Sequence, residues 1–223
     1  MCGASLISPR FLASAYHCFF SDDFGIDFDN DCIVPGTCYA VIREHDLTKK
    51  DFEEQNVTIK SIHRPPFGDS DLALVELQYP VKLDEGAKLV RVAEERLTVG
   101  DSVWSLGWGE TFQDRPSPDV LQKVLLRVSR VSRMDTFTEV GRNAKGIPVD
   151  PCSGDSGGPL LKKKEGEGFL YATLYGGGYN CHAGNTPGDG KWNSLAPHKE
   201  WIQDTLSITG ESVTRIKQES SEN

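Results

Sequence analysis

The segment Asp150-Pro151-Cys152-Ser153-Gly154-Asp155-Ser156-Gly157-Gly158-Pro159-Leu160 sets one hydroxyl among glycines. Glycine accepts positive φ and close backbone approach, so such a loop can present Ser156 while its own N–H groups converge nearby. Acyl transfer needs that arrangement, a nucleophile with oxyanion donors fixed beside it. A plain glycine-rich turn has the same composition, and only partners elsewhere in the chain separate the two readings. A serine hydroxyl attacks poorly until a base takes its proton, and histidine is the usual base. The candidates are His17, His45, His63, His182 and His198. His17 lies in Leu12-Ala13-Ser14-Ala15-Tyr16-His17-Cys18, among small residues and beside a cysteine. Asp71 opens the apolar run Asp71-Leu72-Ala73-Leu74-Val75-Glu76-Leu77. A carboxylate drawn toward a core by the residues after it is costly unless hydrogen-bonded. Such an acid suits the task of fixing a histidine tautomer and stabilising the imidazolium.

Short β-like runs must carry these groups: residues 5–7, 38–42, 57–62, 72–77, 102–106, 120–131 and 169–175, divided by Gly, Pro, Asp and Asn. Along 124–131 the even positions through Val128 are apolar, while Arg127 and Ser129 face the other way. Residues 22–31 are acidic and read as a surface loop. One helix is expected over 197–206, with Pro197 tolerated in its first turn. Residues 209–223 are polar, lack aromatics and read as a tail. With 22 glycines and 12 prolines in 223 residues, the chain reads as all-β. It carries 33 acidic and 24 basic residues, a net charge of −9, which argues against nucleic acid or anionic lipid as a partner. It has no long apolar run, so no membrane span is expected. Six cysteines without a C-x-x-C pair point to disulfides, in any of fifteen pairings, and hence to secretion. Residues 1–30 contain no signal peptide, so the expected start lies upstream of Met1.

These pieces together resemble the trypsin-like (chymotrypsin-fold) serine endopeptidases. The matches are Ala15-Tyr16-His17-Cys18, Asp71-Leu72-Ala73-Leu74, Gly107-Trp108-Gly109 and Gly154-Asp155-Ser156-Gly157-Gly158-Pro159. Cys2-Gly3-Ala4-Ser5-Leu6-Ile7, Leu121-Gln122-Lys123-Val124, Cys181 with Pro187-Gly188, and Trp201-Ile202 extend them over residues 2–206. The resemblance implies two six-stranded antiparallel β-barrels, the first strand of the first barrel missing, and a C-terminal helix. It places one barrel at about residues 1–97 and the other, with the helix, at about 98–208. It implies Ser156 as nucleophile, His17 as base and acid, Asp71 as its orienting acid, and the Gly154 and Ser156 N–H groups as oxyanion hole. Asp150 matches the floor of the primary pocket, with Gly176 and Gly188 on its walls, which implies cleavage after Arg or Lys. The implied disulfides are Cys2–Cys18, Cys152–Cys181 and Cys32–Cys38. Protein or peptide substrates and protein protease inhibitors are the implied partners, and no cofactor is required. Glu44, Asp46, Asp51 and Glu54 fall in a loop that binds structural calcium in some members; a merely solvated acidic loop is the other reading. Asn56-Val57-Thr58 is an N-glycosylation sequon.

The chain also departs from the pattern. Family members carry an activation segment whose freed ammonium pairs with the acid before the nucleophile, here Asp155. Without it that carboxylate is expected to be buried and unpaired, at about 3–5 kcal/mol, and the 223 residues alone are expected to show little activity. Tyr16 and Pro151 are unusual for their positions. Leu174 is expected where the family has a serine, Tyr175 where it has a tryptophan, and Asp189-Gly190 as an insertion. Two other readings remain: a catalytically silent homologue that binds proteins as a regulator, and a non-peptide serine esterase.

Overall fold

Short strands build two large sheets in the computed structural model, which describes residues 1–21, 25–31, 38–50, 54–66, 70–110, 117–142, 148–177 and 190–208. The first sheet contains β1 (Ser5–Ser8), β2 (Phe11–Ala15), β3 (Tyr39–Ile42), β4 (Gln55–His63) and β5 (Leu72–Leu77), in the spatial order β1-β2-β5-β4-β3. The chain then forms the short β6 (Arg91–Val92). The second sheet contains β7 (Ser102–Gly107), β8 (Gln122–Val131), β9 (Asp135–Glu139), β10 (Pro159–Lys164), β11 (Glu167–Gly176) and β12 (Gly190–Ser194). Their order β10-β7-β8-β9-β12-β11 returns to β10 through the β10–β11 pairing, which closes a six-stranded barrel. β6 joins it by running parallel to β11. A single turn of 3-10 helix, Ala196–His198, leads into α1 (Lys199–Ile208), with Pro197 in that turn as its fixed φ allows.

Three apolar clusters explain the layering. Leu12, Val57, Val75 and Leu77 cluster on one face of the first sheet, and Val103, Leu126, Val128, Leu160 and Trp192 fill the closed barrel. The third lies between them, where Phe11, Ala13, Leu72 and Leu74 meet Leu170, Leu195, Ile202 and Leu206. β2 and β5 therefore bury both faces, one in each cluster. Such strands read as continuous apolar runs rather than alternating ones. That explains why β2, rich in Ala and Ser, carries little strand signal of its own yet is wholly buried. β9, β10 and β12 likewise lie outside the runs expected from the sequence. Residues 22–31 are not simply a surface loop. Phe20–Ser21 pairs with Ile26–Asp27, and a helical turn at Phe28–Asp31 buries Phe28 against the rings of Phe19 and Phe20.

Candidate active site

The pairing of β2 with β5 sets Ala15 opposite Leu72, so the residues just past that pair meet at the end of the sheet. His17 occupies a 3-10 turn, Tyr16–Cys18, and Asp71 directly precedes β5. The Asp71 carboxylate accepts from the His17 backbone N–H at 2.7 Å and faces His17 Nδ1 at 2.5 Å. Tyr16 N–H donates to the Asp71 carbonyl at 2.9 Å. With Nδ1–H directed at the carboxylate, Nε2 is left as the basic nitrogen. The Cys2–Cys18 disulfide closes the histidine turn, with Cα atoms 6.2 Å apart. Tyr16 finds its room on the outside, stacked on Phe20 with ring centroids 4.9 Å apart and covered by the Arg64 guanidinium at 4.6 Å.

The nucleophile loop lies between β10 and the ribbon of Gly141–Arg142 with Pro148–Val149. Its backbone is tied to the first sheet: Gly3 N–H donates to the Ser156 carbonyl at 2.7 Å, and Ser14 Oγ donates to the Gly3 carbonyl at 2.8 Å. Gly154 has φ +97°, a conformation that side-chain-bearing residues seldom adopt. The Ser153 carbonyl accepts from Glu110 N–H at 2.9 Å. In a trans peptide the C=O and N–H point oppositely, so this bond turns the Gly154 N–H away from Glu110. Among the described residues neither Gly154 N–H nor Ser156 N–H donates to a protein acceptor, which leaves both for an oxyanion. Among the same residues no hydrogen bond joins the Ser156 hydroxyl to the His17 ring. Free enzymes often hold this contact long and tighten it on substrate.

Asp155 points inward, accepting from Gly109 N–H at 2.7 Å and Cys152 N–H at 3.0 Å. Burial pushes its carboxyl above the ordinary range, and these two amides offset only part of that rise. The motif Gly107-Trp108-Gly109 is explained here. A Cβ on Gly107 or Gly109 would fall 1.9 or 2.4 Å from the carboxyl group of Asp155. Asp150 is half-buried, with Oδ1 closed to solvent, beside a buried Pro151. A Cβ on Gly177 would come within 3.2 Å of the Pro151 carbonyl, so the chain leaving Gly176 passes against the Asp150-Pro151 segment. Gly188 lies outside the described residues, whereas Gly190 is buried against Thr138 and Trp192. Cys38 and Cys152 are disulfide-bonded; Cys32 and Cys181, their implied partners, lie outside the described residues.

A shift of register between Leu174 and Gly176 interrupts the β11–β12 ladder. Leu174, opposite Trp192, packs in the barrel core, and Tyr175 lies near Asp135 and Asp71. Burial, and then the negative charges of Asp135 and Asp71, push its phenol up to about 12. One residue with no signature in the sequence also reaches the site. Asn193, on β12, is 2% exposed and bonds to both backbone groups of Asp71. Its only sequence signal is an amide side chain in a strand that is otherwise small or apolar at its buried positions.

The acidic loop does not gather donors for a cation among the described residues. Asp46 is engaged by Lys49 and by the Thr48 hydroxyl and amide, which hold its carboxyl down to about 2. Glu44 accepts from the His45 N–H, and Asp51 lies outside the described residues.

The trypsin family model matches residues 1–191. The chain belongs to the trypsin family. It is 29% identical to trypsin-1 of Astacus astacus, over 91% of this chain and 86% of that protein. It is also 29% identical to the neutrophil elastase of Mus musculus, over 92% of this chain and 73% of that protein. The suppressor of tumorigenicity 14 protein homolog of Bos taurus is again 29% identical over 93% of this chain, which spans only a quarter of that protein's length. In this trypsin-family domain His17, Asp71 and Ser156 sit on the elements described above. No helix among the described residues is long and apolar enough to cross a membrane.

Proposed function

We propose that this protein is a secreted serine endopeptidase that cleaves peptide bonds after Arg or Lys. The observation that carries this reading is the double engagement of Asp71 with the backbone and Nδ1 of His17, which leaves Nε2 free. Nε2 takes the proton of the Ser156 hydroxyl as its oxygen attacks the scissile carbonyl. The new oxyanion is met by the Gly154 and Ser156 N–H groups, each such donor being worth about 3–4 kcal/mol in the transition state. The imidazolium, stabilised by Asp71, returns its proton to the leaving amine, and an acyl-enzyme remains. Water then repeats the sequence, with His17 as base and acid again, and frees the product acid. No cofactor enters these steps.

Asp150 supports the choice of substrate. A carboxylate at the floor of a narrow slot favours a guanidinium or ammonium, because an apolar side chain leaves the charge without a counter-ion. Peptide amides that differ only in the residue before the scissile bond test this. Arg and Lys substrates are expected to be cut well over tenfold faster than Leu or Phe ones, and Asp150→Ser to abolish the preference while Ser156 stays reactive. An unchanged preference in Asp150→Ser would remove Asp150 from the pocket. A protein that acylates at Ser156 with simple esters but cuts no peptide amide would be an esterase instead.

A further inference from the structure

The triad acid belongs to the first sheet and the nucleophile to the second barrel, so something must set the distance between them. Asn193 on β12 spans that gap. Its Nδ2 donates to the Asp71 carbonyl at 3.0 Å, and its Oδ1 accepts from Asp71 N–H at 3.2 Å and from Ser70 Oγ at 3.3 Å. An amide side chain carries the same donor and acceptor as a peptide group. Asn193 therefore acts as a one-residue strand partner for Asp71, beyond the end of the β2–β5 ladder. The Asp71 carbonyl thus lies between Tyr16 N–H from the first sheet and Asn193 Nδ2 from the second barrel. Asn193 is itself fixed, buried in the ladder between Thr173 and Asp135.

We propose that Asn193 is a positioning residue for the reaction, holding Asp71 and through it His17 in register with Ser156 across the two halves of the molecule. This rests on the reading of Ser156, His17 and Asp71 as a triad. Asn193 touches no reacting atom. Its effect is geometric, and a misplacement of about 1 Å in such a site costs on the order of 100-fold in rate.

Two variants separate positioning from plain structure. Asn193→Leu keeps the branched outline of the side chain and removes all three bonds. Asn193→Asp keeps donor and acceptor only while its carboxyl is protonated, since the neutral acid can donate to the Asp71 carbonyl and accept from its N–H. The groups around it are Asp71 and His17 across the gap, Asp135 beside it in the ladder and Tyr175 on the neighbouring strand. Two carboxylates and burial favour the protonated form at the start of the titration. The experiment measures kcat and KM for an Arg amide from about pH 6 to pH 9, with melting temperatures, on the full-length protein activated by any processing it requires. Asn193→Leu is expected to lower kcat by about 10- to 100-fold at every pH, with KM within about twofold. Asn193→Asp is expected to approach wild type at the acid end and lose about tenfold or more toward pH 9 as the acid ionises. An Asn193→Asp to wild-type ratio that does not change with pH, or an Asn193→Leu kcat at the wild-type level with only the melting temperature lowered, would overturn the proposal. A wild-type protein that neither cuts the amide nor reacts with a fluorophosphonate would instead overturn the reading of the triad, and the proposal with it.

Discussion

The two halves of the molecule contribute to the site in different currencies. The first sheet supplies side chains: His17 and Asp71 sit at adjacent strand ends, and their types are what matter. The second barrel supplies backbone: apart from the Ser156 hydroxyl, its loop offers N–H groups, and what matters is the conformation that Gly154, Gly107 and Gly109 permit. Their frames differ as well. The second barrel closes on itself through the β10–β11 pairing, while the described strands of the first sheet end at β1 and β3. The closed half thus carries the geometry-critical loop, and the histidine half is registered onto it by Gly3, Ser14 and Asn193.

The comparison makes side-chain lesions in the first half the most damaging. Asp71→Asn keeps the size of the side chain but cannot accept the Nδ1 proton. The histidine is then held in the wrong tautomer, and kcat is expected to fall by about 10⁴-fold, as it does in the Ser-His-Asp template. Steady-state kinetics on an Arg amide would show it, and a loss under tenfold would mean that Asp71 does not orient the base. In the second half the damaging change is conformational. Gly154→Ala places a Cβ 3.3 Å from the Gly109 Cα on a backbone with φ +97°. The peptide is expected to turn and withdraw one oxyanion donor, lowering kcat by about 10²–10³-fold with little change in KM. If KM rises and kcat stays, the Gly154 N–H binds ground state and transition state alike.

The smallest effect belongs to the packing between the halves. His198 is 6% exposed against Trp201, and its Nε2 has no hydrogen-bond partner among the described residues. Burial lowers its pKa below the ordinary 6.5. The native state therefore keeps it neutral while the unfolded chain takes up a proton. The stability this gives is present above pH 6.5 and is lost as pH falls from there through the depressed folded value. Melting curves from pH 8 to pH 5 should show a decline below about pH 6.5 that His198→Gln flattens. Parallel pH profiles for the two proteins would show that His198 does not titrate between the folded and unfolded states.

What was legible in the sequence follows the same division. Ser156, His17 and Asp71 announce themselves by residue type and order, and long apolar runs such as β5, β7 and β8 fix their own strands. β2 did not, because Ala and Ser are weak strand formers and only burial on both faces makes the strand. The irregularity between Leu174 and Gly176 leaves no mark in the sequence either, since an extra residue in a ladder shifts the pairing without calling for any one residue type. Asn193 was invisible for another reason: its partner lies 122 residues away, and no local pattern encodes a bond that only the docking of the two halves creates. Phe28 shows the same limit nearer by, since its acidic neighbours hide a buried anchor.

The central claim is that Ser156 is made nucleophilic by His17. Treating the activated full-length protein with a fluorophosphonate and mapping the adduct by mass spectrometry tests it most directly. The account predicts modification at Ser156 that is lost in His17→Ala, whereas an unlabelled Ser156, or labelling that His17→Ala leaves undiminished, would contradict it.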